Sequence, residues 1–143
     1  MLGIVLLSFV ALGSCSLLST LTTGTPAAPS GVSASTPTYS STVNDGNGGY
    51  QTTISWSSDL GAVTYNVYHT YGNPANGVPD PTEVAGGGPG PSTFESNPVS
   101  TTSWVFTMGT NDPAGYVLKY AVSAVGSNGT ESALSSVVTV TVP

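Results

Sequence analysis

Few residues of this chain have types that perform chemistry, and their spacing limits what they can do. His69 is the only histidine. A Ser/His/Asp relay would draw its other members from an abundant serine supply and seven scattered acids, and no spacing selects any of them. Placed after Tyr68 at the end of an alternating run, His69 is expected to be exposed or on a sheet edge. The carboxylates are Asp45, Asp59, Asp80, Glu83, Glu95, Asp112 and Glu131. Glycoside hydrolysis needs two of them about 5–9.5 Å apart. Asp80 and Glu83 are the nearest pair, and their proline-rich surroundings predict solvated side chains. Val43-Asn44-Asp45-Gly46-Asn47-Gly48-Gly49 offers oxygens to Ca²⁺, but that ion takes roughly six to eight, and Gln51 does not replace the bidentate Glu that closes an EF-hand loop. Asn-Asp-Gly and Asn-Gly backbone preferences predict a turn there instead. Gly86-Gly87-Gly88-Pro89-Gly90 lacks the lysine and the preceding strand of a phosphate loop and reads as a loop tip. No catalytic residue, metal or cofactor is expected.

Binding is the remaining chemistry. Tyr68 and Tyr71, with Tyr39, are rings whose flat apolar faces and polar edges can stack on sugars, although surface tyrosines are also ordinary in β proteins. Tyr68 and Tyr71 are therefore the candidate binding surface, with a polysaccharide or a surface protein as partner. Asn128-Gly129-Thr130 matches an N-glycosylation acceptor and equally a tight turn. Against seven carboxylates stand Lys119 alone and no arginine, for a net charge of −6. Such a chain cannot neutralise a run of phosphates, so nucleic acid is excluded as a partner, and a polybasic grip on anionic lipid fails for the same reason.

The single cysteine, Cys15, precludes an intrachain disulfide. It follows the apolar run Met1 to Leu12, which falls short of the ~20 residues that cross a bilayer as a helix but suits the apolar region of a signal peptide. Leu12-Gly13-Ser14-Cys15 resembles the lipobox of bacterial lipoprotein signals, which implies cleavage before Cys15, lipidation of its thiol, export, and attachment to a membrane of the cell envelope or surface. The N-terminal Lys or Arg of that pattern is missing. Two other readings stay open: an uncleaved apolar helix in which Cys15 is a small hydrophobe, and a helix that self-assembles in the core of an extracellular filament. In the second case the chain resembles pilins, with Val5 where bacterial pilins carry Glu.

These residues must be positioned by a scaffold, and 143 residues with 38% hydrophobic content supply one core. Charged residues make up 6%, far below the roughly 25% of an average soluble protein, while 18 glycines and 11 prolines point to strands and turns. Ser16 to Ser30 drifts into Thr, Pro and Ala and reads as a solvated tether. Beyond it the apolar period is two. Thr52, Ile54 and Trp56 alternate with polar neighbours, as do Val63, Tyr65 and Val67, and the pattern returns in Trp104 to Met108, Tyr120 to Val125 and Val138 to Val142. No stretch past residue 31 sustains a helical repeat.

The order of these pieces resembles the fibronectin type III family: Pro29 to Ala34 on the entering strand, Ile54-Ser55-Trp56 on the second, Ala62 to Tyr68 on the third, and Tyr120 to Gly126 on the sixth. Gly129, Glu131-Ser132 and Ser135 lead into the last. The resemblance implies an all-β, immunoglobulin-like antiparallel β-sandwich preceded by a short apolar N-terminal segment, with Trp56 filling the gap between sheets and Tyr120 as a tyrosine corner. Trp56, Tyr65, Val67, Tyr120 and Val122 are the expected core. Ser35 to Gly49 and His69 to Thr102 are long for the family and are expected to be loops. The organisation is then 1–14 leader, 15–28 tether and 29–143 sandwich. The expected function is that of a non-catalytic structural or adhesion module displayed on a lipid anchor, with a filament subunit or an accessory carbohydrate-binding module as alternatives.

Overall fold

The computed structural model describes residues 24–81, 98–109 and 114–143, together with the backbone of Thr93–Phe94. The leader with Cys15, the early tether, Glu83 and the Gly86 to Gly90 run lie outside these residues. In chain order the strands are β1 (Ser33–Ala34), β2 (Thr38–Ser40), β3 (Gly49–Ser55), β4 (Ala62–Gly72), β5 (Thr93–Phe94), β6 (Ser103–Met108), β7 (Val117–Gly126) and β8 (Val138–Thr141). β3 carries β1 and β2 along one edge and β6 along the other. The second sheet has the order β5-β4-β7-β8, and every pairing is antiparallel.

Alternation explains how the sheets close on each other. Ile54 and Trp56 on or just past β3, with Phe106 and Met108 on β6, face Tyr65, Val67, Leu118, Tyr120 and Val122 of the second sheet, and together they form one core. β-branched and aromatic residues suit this surface because their stiff side chains stand off the pleat and interdigitate. Each large side chain so buried contributes about 1.5–3 kcal/mol. Trp56 lies edge-on to Tyr65, with ring centroids 5.4 Å apart, and spans the gap between the layers.

The segment from Ser35 to Gly49 is more ordered than a long loop. It contains β2 and then a 3₁₀ turn at Asn44–Gly46, in which Asn44 and Asp45 take positive φ of 54° and 56°. Asn tolerates that conformation because its side chain bonds locally. Here the Asn44 amide also reaches across the sheet, donating to the Gly48 carbonyl at 2.8 Å and the Met108 carbonyl at 3.0 Å. Gly49 leaves room for this approach, since a Cβ there would overlap the Met108 carbonyl oxygen.

The packed body reaches back into the segment read as tether. Pro26 is buried, and a Cβ on Gly126 would lie 3.3 Å from its ring. The chain therefore enters at the end of the sandwich where β3 turns into β4 and where Ala62 pairs with Gly126.

Candidate functional site

Successive residues of β4 point to opposite faces. Tyr65, Val67 and His69 turn inward, while Asn66, Tyr68 and Thr70 turn outward, opposite Ser123, Ala121 and Lys119 of β7. This outer face is largely covered, since Asn66, Tyr68, Thr70, Ala121 and Ser123 are all buried. The Thr70 hydroxyl donates to the Pro79 carbonyl at 2.6 Å, while Asn66, Tyr68 and Ser123 converge on Glu131, which bridges Val125 on the far side of the β7 turn. One oxygen, Glu131 Oε1, accepts from Asn66 Nδ2 at 2.9 Å, from the Tyr68 hydroxyl at 2.5 Å and from the Ser123 hydroxyl.

The electrostatics follow from that geometry. Burial pushes the Glu131 carboxyl up, but hydrogen bonds from Ser123, Tyr68 and Asn66 outweigh it and hold the group below its ordinary value. Tyr68 is pushed up to about 12, first by burial and then by its bond to the Glu131 carboxylate and that carboxylate's charge. A carboxylate this well solvated by donors is a poor proton acceptor, and a phenol this weak is a poor donor near neutrality. The cluster acts as a clamp that fastens the segment after β7 onto β4.

The same segment is fastened to β7 by serines. The Ser132 hydroxyl accepts from the Ala124 amide at 2.9 Å and the Ser135 hydroxyl from the Val122 amide at 3.0 Å. The Ser132 and Ser135 amides donate to the Ala124 and Val122 carbonyls at 2.8 and 2.9 Å. The hydroxyls thus supply acceptors where the strand departs from regular pairing. Asn128-Gly129-Thr130 forms the preceding turn, with Gly129 at φ 78° and Asn128 Oδ1 accepting from the Thr130 amide at 3.0 Å.

The expected aromatic surface is not assembled as a pair. Tyr68 is 5% exposed and Tyr71 55% exposed, because an odd separation puts them on opposite faces of β4. Tyr39, 59% exposed, stands edge-on to Tyr50 at 5.6 Å in the other sheet. Tyr39 and Tyr71 do share one end of the sandwich: Tyr39 pairs with Tyr50 at the start of β3, and Tyr71 with Leu118 near the start of β7. The chain enters at the other end, about 30 Å away along a ten-residue strand.

Two further expectations are corrected. His69 is 1% exposed rather than at an edge, because β4 runs on to Gly72 and its ring packs 4.4 Å from that of Phe106. Tyr120 makes no corner contact: it is fully buried, and among the described residues its hydroxyl has no hydrogen-bond partner. It sits well inside β7, paired with His69 and Val138, so the ring lies among core aromatics and burial alone pushes its phenol up. Asp80 is solvated as expected, its side chain 64% exposed, and it also pairs with Lys119 Nζ at 2.7 Å. Among the described residues no three His, Cys, Asp or Glu side chains gather in a way that could hold a metal.

Compared with solved structures, the chain is similar to an Fn3-like protein from Clostridium thermocellum, with 26% identity over 84% of this chain and 96% of that one, at a TM-score of 0.50. The fold is fibronectin type III-like. No family model and no curated protein matches the chain. A fibronectin type III-like sandwich of this kind is a structural or binding module. In this one Trp56, Tyr65, Val67, Tyr120 and Val122 occupy the interior, while the Glu131 cluster, which periodicity does not point to, closes the outer face of the β4–β7 pair.

Proposed function

We propose that this protein is a non-catalytic structural or adhesion module of the cell envelope, held by a lipid anchor at Cys15 and presenting its fibronectin type III-like sandwich outward. The observation that carries this is the polarity of the sandwich. The chain enters beside Gly126, packed by Pro26, and the exposed Tyr39 and Tyr71 lie at the opposite end. A tether attached at the entry end leaves that opposite end foremost, where a rigid scaffold commonly carries recognition. The polar groups on the outer face of the second sheet are committed to holding the chain together, and exposed rings are suited to a protein or polysaccharide surface.

Replacing Cys15 by Ser in the full chain tests the anchor. Export with retention in the membrane fraction is expected for the parent chain, and release into the soluble fraction for Cys15→Ser. Equal membrane retention of both would contradict the lipid anchor and favour a filament or an uncleaved helix.

A further inference from the structure

We infer that Asn76 is a self-modification site, where the backbone amide of Gly77 converts the asparagine through a cyclic imide into aspartate or isoaspartate. The chain holds three Asn-Gly steps, Asn47-Gly48, Asn76-Gly77 and Asn128-Gly129. Each has the chemistry, because glycine brings no side chain to obstruct its own amide nitrogen as that atom closes a five-membered ring on the preceding side chain. The fold decides among them.

Two of the asparagines are restrained. Asn47 Nδ2 donates to the Asn44 carbonyl at 2.8 Å, and the Gly48 amide donates to the Val43 carbonyl at 3.0 Å. The Gly48 carbonyl is gripped in turn by Asn44 Nδ2, which also reaches the Met108 carbonyl, so this turn opens only by parting from β6. Asn128 Oδ1 accepts from the Thr130 amide at 3.0 Å. The Gly129 amide donates to the Gly126 carbonyl at 2.9 Å, inside a turn closed by the bond from the Gly126 amide to the Thr130 carbonyl at 2.9 Å.

Asn76 lacks such restraint. It ends the three-residue 3₁₀ turn Pro74–Asn76, and among the described residues its side chain makes no hydrogen bond. Asn76 and Gly77 are both exposed, and a Cβ on Gly77 would meet nothing within 4 Å. The Gly77 amide donates to the Pro74 carbonyl at 3.1 Å, an exposed bond at the end of a turn too short to hold it cooperatively. Its loss frees the nucleophile without disturbing either sheet.

The atoms balance with solvent as the only co-reactant. Base removes the Gly77 N–H proton, the nitrogen bonds to Asn76 Cγ, and the Cγ–Nδ2 bond breaks, Nδ2 leaving as ammonia with the displaced proton. Water then opens the imide. Attack at Cγ breaks its new bond to the Gly77 nitrogen and leaves an aspartate, whereas attack at the main-chain carbonyl breaks the original peptide bond and routes the backbone through Cβ. Either product adds a carboxylate just after β4, at the end of the sandwich that carries Tyr71. The reaction needs no anchor and no partner.

The test incubates the full chain at mildly alkaline pH, folded and in urea, and follows the three positions by peptide mapping with isoaspartate-specific methylation. In the folded chain Asn76 should convert about tenfold faster than Asn47 or Asn128, the difference that roughly one restraining hydrogen bond makes to the opening step. In urea the three rates should converge. Asn76→Gln, whose longer side chain disfavours the five-membered ring, should remove the earliest acidic species seen by isoelectric focusing of the folded chain. Equal rates in the folded chain, faster conversion at Asn47 or Asn128, or conversion of Asn76 only in urea would overturn the inference.

Discussion

The Tyr68 hydroxyl donates to Glu131 Oε1 at 2.5 Å, joining residues 63 apart in sequence across the outer face of the second sheet. With Asn66 and Ser123 it makes Glu131 the acceptor of three donors from two strands. A sandwich ordinarily gains its stability between its sheets. Here a polar clamp on the outside fixes the segment from which β8 departs.

Acid should loosen that clamp. The folded Glu131 carboxyl titrates below its ordinary value, so the unfolded chain takes up the proton first as pH falls. Its contribution is complete above the ordinary carboxylate range and is lost as pH drops through the folded value. Urea unfolding as a function of pH should therefore show a shallower acid limb for Glu131→Gln than for the parent chain.

Removing the Tyr68 hydroxyl deletes a bond to a charged acceptor, and Tyr68→Phe should cost about 1–2 kcal/mol at neutral pH. Because the folded phenol is raised to about 12 from an ordinary 10, its contribution is full below pH 10 and falls away as pH rises towards 12. The alkaline limb should be correspondingly flatter in Tyr68→Phe, as read by chemical denaturation between pH 9 and 12. A double-mutant cycle with Glu131→Gln should return a coupling of about 1 kcal/mol, since the two side chains touch.

Ser132→Ala and Ser135→Ala should each cost about 1–3 kcal/mol, because each leaves a buried amide, that of Ala124 or Val122, without its acceptor. Hydrogen exchange at those two amides should accelerate while distant β3 amides change only with global stability.

Gly49→Ala tests the close approach beneath the Asn44 turn. A methyl at this position overlaps the Met108 carbonyl oxygen, so β3 and β6 must separate locally and the Asn44 to Met108 bond is lost. A destabilisation of about 2 kcal/mol or more is expected from thermal unfolding, against a change within about 0.5 kcal/mol for Gly109→Ala, whose Cβ meets nothing within 4 Å and whose backbone is outside the positive-φ region.

What sequence could reveal follows the range of the forces involved. Alternation is local, so the centres of β3, β4, β6, β7 and β8 and the inward positions Trp56, Tyr65, Val67 and Val122 are legible from neighbours alone. β2 is hidden because Thr38–Ser40 is too short to show a period, and the stretch Tyr68 to Thr70 of β4 because successive residues there are all buried and alternation carries no signal. His69 lies in that stretch, so its burial is not legible from its neighbours. Glu131 is the clearest case of a residue beyond local reading. Its partners lie 65, 63 and 8 residues away, and only the register of β4 against β7 brings them together.

The most direct test of the proposed role is the mass of the mature chain recovered from its native membrane fraction. A lipid-anchored display module predicts a first residue of Cys15 carrying diacylglyceryl and loss of residues 1–14. An intact, unmodified chain beginning at Met1 would contradict it.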